Sequence, residues 1–134
     1  HSFPTRRSAD LGALPPATIP KAEAAAAAMR DSHMRAFRAG VKFAFGTDTG
    51  VSRHGDNATE FAELVKIGMT PAQAIATATV AAAEVLGRAD LGAIEPGHQA
   101  DLIAVAGSPL EDVTRLQHVS FVMHRGVPLA GGAD

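Results

Sequence analysis

The sequence predicts an α/β chain, with one buried strand supported by helices and a smaller β segment after it. Three observations carry this expectation. Val41 to Phe45 is a short, largely apolar run that suits a buried strand of a parallel sheet, and Gly46-Thr47-Asp48 ends it. Two helix-start signals follow in close succession, one at Asn57 and one at Thr70-Pro71. Beyond Gly87 the character changes to short β-prone runs separated by turn residues, with Glu95-Pro96-Gly97 the clearest turn.

A chain of 134 residues can form one domain with a real core but is too short for a complete eight-stranded barrel. Alanine supplies much of the apolar content, and all of the aromatic residues are phenylalanine. The formal net charge of −2, with both signs mixed, provides no phosphate-binding stripe and argues against a nucleic-acid partner. The absence of cysteine excludes disulfides, thiol catalysis and thiolate metal sites. No apolar run approaches membrane-spanning length and the first residues do not form a signal peptide. The expectation is a soluble protein with no membrane partner, cytoplasmic by default, with a targeting segment upstream left open.

In chain order, His1 to Leu11 lacks periodicity, and the prolines from Pro15 to Pro20 act as a spacer, so residues 1–20 are expected to be leader and linker. Lys21 to Ala39 is strongly helical in propensity and Gly40 caps it. Met29, His33 and Phe37 share a face of this helix through their four-residue spacing. Thr49 to Asp56 is a loop. Asn57 is read as an N-cap, with Glu60 as its reciprocal partner, on a helix that runs to about Ile67 and closes at Gly68. Thr70, Pro71 and Gln73 repeat the start signal for one helix reaching about Leu86, with Ile75, Thr79, Ala82 and Leu86 along a stripe. Leu102 to Ala106 and Val119 to Met123 read as strands, with a turn or short helix over Pro109 to Leu116 between them. Arg125-Gly126 is a turn before a stub at Val127 to Leu129. So few short strands cannot bury a sheet face alone, so residues 88–134 are expected to be part of a sheet domain completed elsewhere.

Asp48 is the strongest chemical candidate, since barrel and open-sheet enzymes collect catalytic groups at the C-terminal ends of strands. On the residues alone, a turn or cap role for it remains open. A lone carboxylate cannot hold zinc, which takes three or four protein ligands. His33 reads as a core or solvent-edge residue and His98 as a surface residue. His118 and His124 fit neither a local His-x-His pair nor a His-Glu-x-x-His site. Gly46 and Gly50 lack the Lys-Ser/Thr continuation of a phosphate cradle.

Gly46-Thr47-Asp48, His54-Gly55-Asp56-Asn57, Glu60 and Gly68-Met69-Thr70-Pro71 with Ala74-Ile75, taken in this order, resemble the amidohydrolase superfamily. The nearest branch is similar to imidazolonepropionase-like and Xaa-Pro dipeptidase-like metallohydrolases. Leu91 to Gly97 with Ala100-Asp101-Leu102 resembles the family's re-entry into its small β-sandwich, and Phe121 to Met123 with Arg125-Gly126 its closing strand. The likeness runs from about Lys21 to Leu129. His1 to Leu11 falls outside it and is similar to a translated, adapter-like leader.

The resemblance implies a C-terminal fragment of a (β/α)8 TIM-type barrel over residues 21–87 and a partial composite β-sandwich over residues 88–134. It implies that the parent protein uses one or two divalent metals, zinc being the expected one, to hydrolyse an amide, dipeptide-like or cyclic amide bond. Asp48 matches the family's last metal ligand, which also shuttles the proton. His54 matches a substrate-side position, with Asn57 and Glu60 supporting the loop and helix start. The family's His-x-His pair, bridging lysine and two further histidines have no counterpart here, and Arg53 stands where relatives commonly carry proline. The chain alone is therefore expected to bind no stoichiometric metal and to need the missing N-terminal part of the barrel; self-association is left open. The alternatives are an inert, purely structural chain, or an ester, lactone or phosphotriester hydrolase using the same site.

Overall fold

The computed structural model describes residues 15–47 and 55–129. The leader through Leu11 and the candidate residues Asp48 and His54 lie outside the described residues. Helix α1 spans Ile19–Arg38, entered through a 3-10 turn at Pro16–Thr18 and with proline in its first turn. A second 3-10 turn, Asp56–Thr59, runs directly into α2, Glu60–Lys66. Helices α3, Pro71–Ala78, and α4, Val80–Leu86, follow. Three short strands then form β1, Leu102–Val105, β2, Val119–His124, and β3, Val127–Pro128, with a 3-10 turn at Val113–Gln117 between β1 and β2.

Three of the helices stop in the same way. Beyond α1, Gly40 N donates to Phe37 O and Val41 N to Ala36 O, both at 3.0 Å. The same two crossed bonds close α2 at Gly68-Met69 and α4 at Gly87-Arg88, satisfying carbonyls that the helix end leaves free. The start of α3 is as the sequence indicates: Gln73 N donates to Thr70 Oγ1 at 3.2 Å, and Thr70 N donates to Gln73 Oε1 at 2.9 Å. Replacing Thr70 with Ala removes the bond that its Oγ1 accepts, leaving the backbone N–H half of the box, and should lower stability by about 1 kcal/mol, read as a reduced denaturant midpoint at unchanged slope.

The expected single helix to Leu86 is instead two helices. Thr79 adopts φ −120°, ψ −100°, which breaks the hydrogen-bond ladder. Its Oγ1 donates to Ile75 O at 3.0 Å, so a β-branched, hydroxyl-bearing residue competes with the backbone at the break. The break changes the buried stripe: Ala74, Thr77 and Ala83 are buried, while Leu86 is 69% exposed. It also makes the carbonyl of Thr77 available to another segment. Phe45 N donates to it at 2.9 Å, tying the Val41–Thr47 segment to α3.

That segment alternates in the manner of a strand. Phe43, Phe45 and Thr47 are half-buried toward the helices, whereas Lys42, Ala44 and Gly46 are exposed. No ladder partner pairs with it among the described residues, so it forms no strand of a sheet here. Leu64, Ile67, Met69 and Ala74 form the core beside it, with Met34, Phe37, Phe43, Phe45, Phe61 and Val65 packed around them. The ring edges of His33 and Phe37 both meet Phe43, with centroids 6.1 and 6.4 Å apart, so the expected helix face does reach the segment.

The C-terminal strands make one antiparallel sheet in the order β1-β2-β3. Arg125 and Gly126 both have positive φ, 50° and 77°, as a two-residue hairpin turn of the primed type requires. Asp101 Oδ1 accepts from Arg125 N at 2.8 Å and faces His124 Nδ1 at 2.9 Å, clamping the hairpin to the approach of β1. The sheet remains open: Ile103 and Val127 are more than half exposed, and Phe121 and Val122 are also exposed. Its anchor is the Val113–Gln117 turn. Val113 and Leu116 are buried there, and the turn packs against the Asp56–Thr59 turn and α2.

Candidate functional site at the end of the Val41–Thr47 segment

Three contacts assemble the strand end. The rings of Phe45 and Phe61 stack with centroids 4.5 Å apart, fixing the start of α2 against the segment. Asn57 Nδ2 donates to Thr47 Oγ1 at 2.8 Å, tying the 3-10 turn to the last described residue before Asp48. Asn57 Oδ1 also accepts from Gly55 N at 3.3 Å. Thr59 Oγ1 donates to Asp56 O at 2.7 Å and closes the turn on itself.

The expected Asn57–Glu60 capping pair does not form. The chain enters α2 through a tighter 3-10 turn, and neither the turn nor the helix has a side-chain cap. With Gly55 at φ 97°, the chain bends so that the Asn57 amide meets the strand end instead. Glu60 turns inward: its Oε2 is buried without a hydrogen-bond partner among the described residues. Burial, reinforced by the neighbouring Glu63 carboxylate, pushes the Glu60 carboxyl from 4.5 up to about 7. Thr47 and Phe61 went unrecognised at the sequence level; the alternation Phe43, Phe45, Thr47 was the signal that could have found Thr47.

The described residues hold no group of three histidine, cysteine, aspartate or glutamate side chains able to bind a metal ion. The ligand set is therefore incomplete for zinc, and no metal-dependent step can be assigned to these residues. On the flank of the segment away from α2, a groove of about 580 Å³ runs between Val41–Ala44 and the α3–α4 helices, with Lys42 and Glu84 among the lining residues. Lys42 Nζ and Glu84 Oε1 pair there at 2.5 Å. No helix among the described residues is long and apolar enough to cross a membrane.

The amidohydrolase family model matches residues 4–129. The chain belongs to the amidohydrolase family. The match starts nearer the N-terminus than the likeness traced from Lys21. Among amidohydrolase relatives, the ochratoxinase of Aspergillus niger is 40% identical over 104 residues, covering 72% of this chain and 21% of that protein. The imidazolonepropionase of Geobacillus kaustophilus is 43% identical over 76 residues, covering 52% of this chain and 17% of that protein. A crystal structure of a Xaa-Pro dipeptidase with methionine bound in its active site superposes with a TM-score of 0.80 at 43% identity, covering 88% of this chain and 29% of that one. The chain thus spans less than a third of the length of each of these amidohydrolases. Helices with a small, unclosed sheet are the architecture expected of a piece of the larger fold.

Proposed function

We propose that this chain supplies the last barrel strand and its supporting helices to a metal-dependent hydrolase of C–N bonds, acting on an amide, dipeptide-like or cyclic amide substrate. The observation that carries the reading is the superposition on the Xaa-Pro dipeptidase, at 43% identity over 88% of this chain. In this proposal Asp48 contributes one metal contact and accepts and returns a proton at its carboxylate. His54 lies against the substrate, where its ring can donate to a carboxylate or a developing oxyanion. Asn57 supports the site from the helix side through Thr47, and Glu60 lies behind it. A divalent metal, zinc being the expected one, would be held chiefly by ligands from the remainder of the parent and would supply Lewis-acid activation of water.

The experiment is to recover the upstream reading frame, produce the full-length protein and measure bound metal beside turnover of amide, lactone and phosphotriester panels. The proposal expects an upstream His-x-His pair with two further spaced histidines, and turnover confined to the amide panel. Turnover of lactones or phosphotriesters alone overturns the C–N assignment. For the 134-residue chain by itself, we expect neither stoichiometric zinc nor amide hydrolysis. Elemental analysis beside size-exclusion chromatography checks this, and about one tightly held zinc per compact monomer would contradict it.

A further inference from the structure

We propose that Glu60 makes the seating of the Asp56–Thr59 turn on Thr47 sensitive to pH: its buried carboxyl leaves the turn seated as the neutral acid and loosens it as the carboxylate. Its consequence for catalysis rests on the function proposed above; the seating itself does not.

Glu60 follows Asn57 by three residues and precedes Leu64 by four, so it belongs to the stripe that faces the Val41–Thr47 segment. The members on either side have defined seats: Asn57 on Thr47, Phe61 on Phe45, and Leu64 in the core. A glutamate in the first turn of a helix normally points to water, where the helix dipole favours its charge. Glu60 instead has an oxygen buried without a partner among the described residues. An ionised carboxylate in that seat would lack any compensating bond, whereas the protonated acid is tolerated at much lower cost.

Among the described residues, the charged groups on the surrounding elements do not offset this. Glu63, on the same helix, is itself an acid, held by Lys66 at 2.7 Å and Arg30 of α1 at 3.8 Å. Asp56 on the preceding turn is a second acid. Arg115 on the Val113–Gln117 turn donates to Ala106 O at 3.1 Å, and His33 of α1 packs on Phe43. Helix α3 carries no charged side chain.

The sign follows from the raised affinity for a proton. Because the seated state holds its proton up to about pH 7 and the free carboxyl only to about 4.5, seating is firmest below 4.5. It weakens as pH rises between these values, and above about 7 the full penalty applies.

The test compares the full-length wild-type protein with Glu60→Gln and Glu60→Met by following hydrogen-exchange protection of the Asn57 side-chain amide from pH 5 to 8.5. Each variant is referenced to wild type at the same pH, which cancels the intrinsic pH dependence of exchange. The expected result is a wild-type protection factor that falls by threefold or more relative to Glu60→Gln between pH 5 and about 7 and levels off above that. Glu60→Met, equally unable to ionise, should follow the Gln variant. Parallel protection in all three proteins across the range overturns the proposal, as does loss of Asn57 protection in both variants at pH 5. In turnover, the same substitution should remove a decline in kcat between pH 5 and about 7 while leaving KM unchanged. An enzyme inactive on every panel would count against the proposed function, and the Asn57 readout would still decide the role of Glu60.

Discussion

In the full-length enzyme, Asp48→Asn should lower turnover by roughly two to four orders of magnitude while leaving the fold intact, a barrier increase of about 3–5 kcal/mol. The substitution preserves shape and replaces a proton acceptor with an amide that cannot take the proton. The segment leading to position 48 is held by contacts the substitution does not touch: the Phe45–Phe61 stack, the bond from Phe45 N to Thr77 O, and the Asn57–Thr47 bond. KM should therefore change much less than kcat, since the lost interaction belongs to the chemical step. The measurement is steady-state kinetics at saturating substrate with metal occupancy determined on the same sample. Near-normal kcat at full occupancy would remove Asp48 from the proton path.

The largest stability effect is expected at Gly92. Its φ is +83°, and a Cβ built there would lie 2.7 Å from Thr79 O, 2.8 Å from Thr79 C and 2.9 Å from Val80 N. These are backbone atoms at the junction of α3 and α4, so relieving the clash requires moving a helix. Gly92→Ala combines the left-handed backbone penalty of about 1 kcal/mol with overpacking of about 1–3 kcal/mol, giving an expected loss of about 2–4 kcal/mol. Gly97→Ala is the matched control. Gly97 also has positive φ, at +88°, but its Cβ would meet open space, so only the backbone part applies. Denaturant unfolding of the two variants separates the contributions. Equal losses would show that the Gly92–Thr79 approach is not rigid.

The helix ends were legible because their chemistry is local. Thr70-Pro71 with Gln73, and the glycines at 40, 68 and 87, act through bonds a few residues long, and each element ends where those residues indicate. The sheet and its hairpin were legible for the same reason, with Arg125-Gly126 supplying the turn. The break at Thr79 was hidden because a lone threonine among alanines is a weak stop signal: its hydroxyl bonds back to Ile75 O, and Gly92 packs against the same junction from the following loop. Asn57 and Glu60 were misread as a capping pair because their spacing fits one, and spacing says nothing about whether a glutamate faces water or core. The apolar run Val41 to Phe45 was read as a buried strand of a sheet; its residues alternate as a strand's do, but pairing depends on neighbours that this segment does not meet among the described residues. The amidohydrolase relationship was visible in the ordered motifs. The ligand set was not, since the described residues hold no group of three side chains able to bind a metal ion.

The Val113–Gln117 turn, with Val113 and Leu116 buried, rests on the Asp56–Thr59 turn that carries Asn57. The small sheet is thereby mechanically continuous with the floor beneath the strand end. For anyone recombining relatives, these two turns form a matched pair: a chimera that takes its strand end from one parent and its sheet from another inherits a mismatched joint between turns that each lie roughly thirty residues from a crossover near Gly87. Compatibility across that joint, rather than similarity around the carboxylate, then sets which gene fragments can be exchanged between lineages.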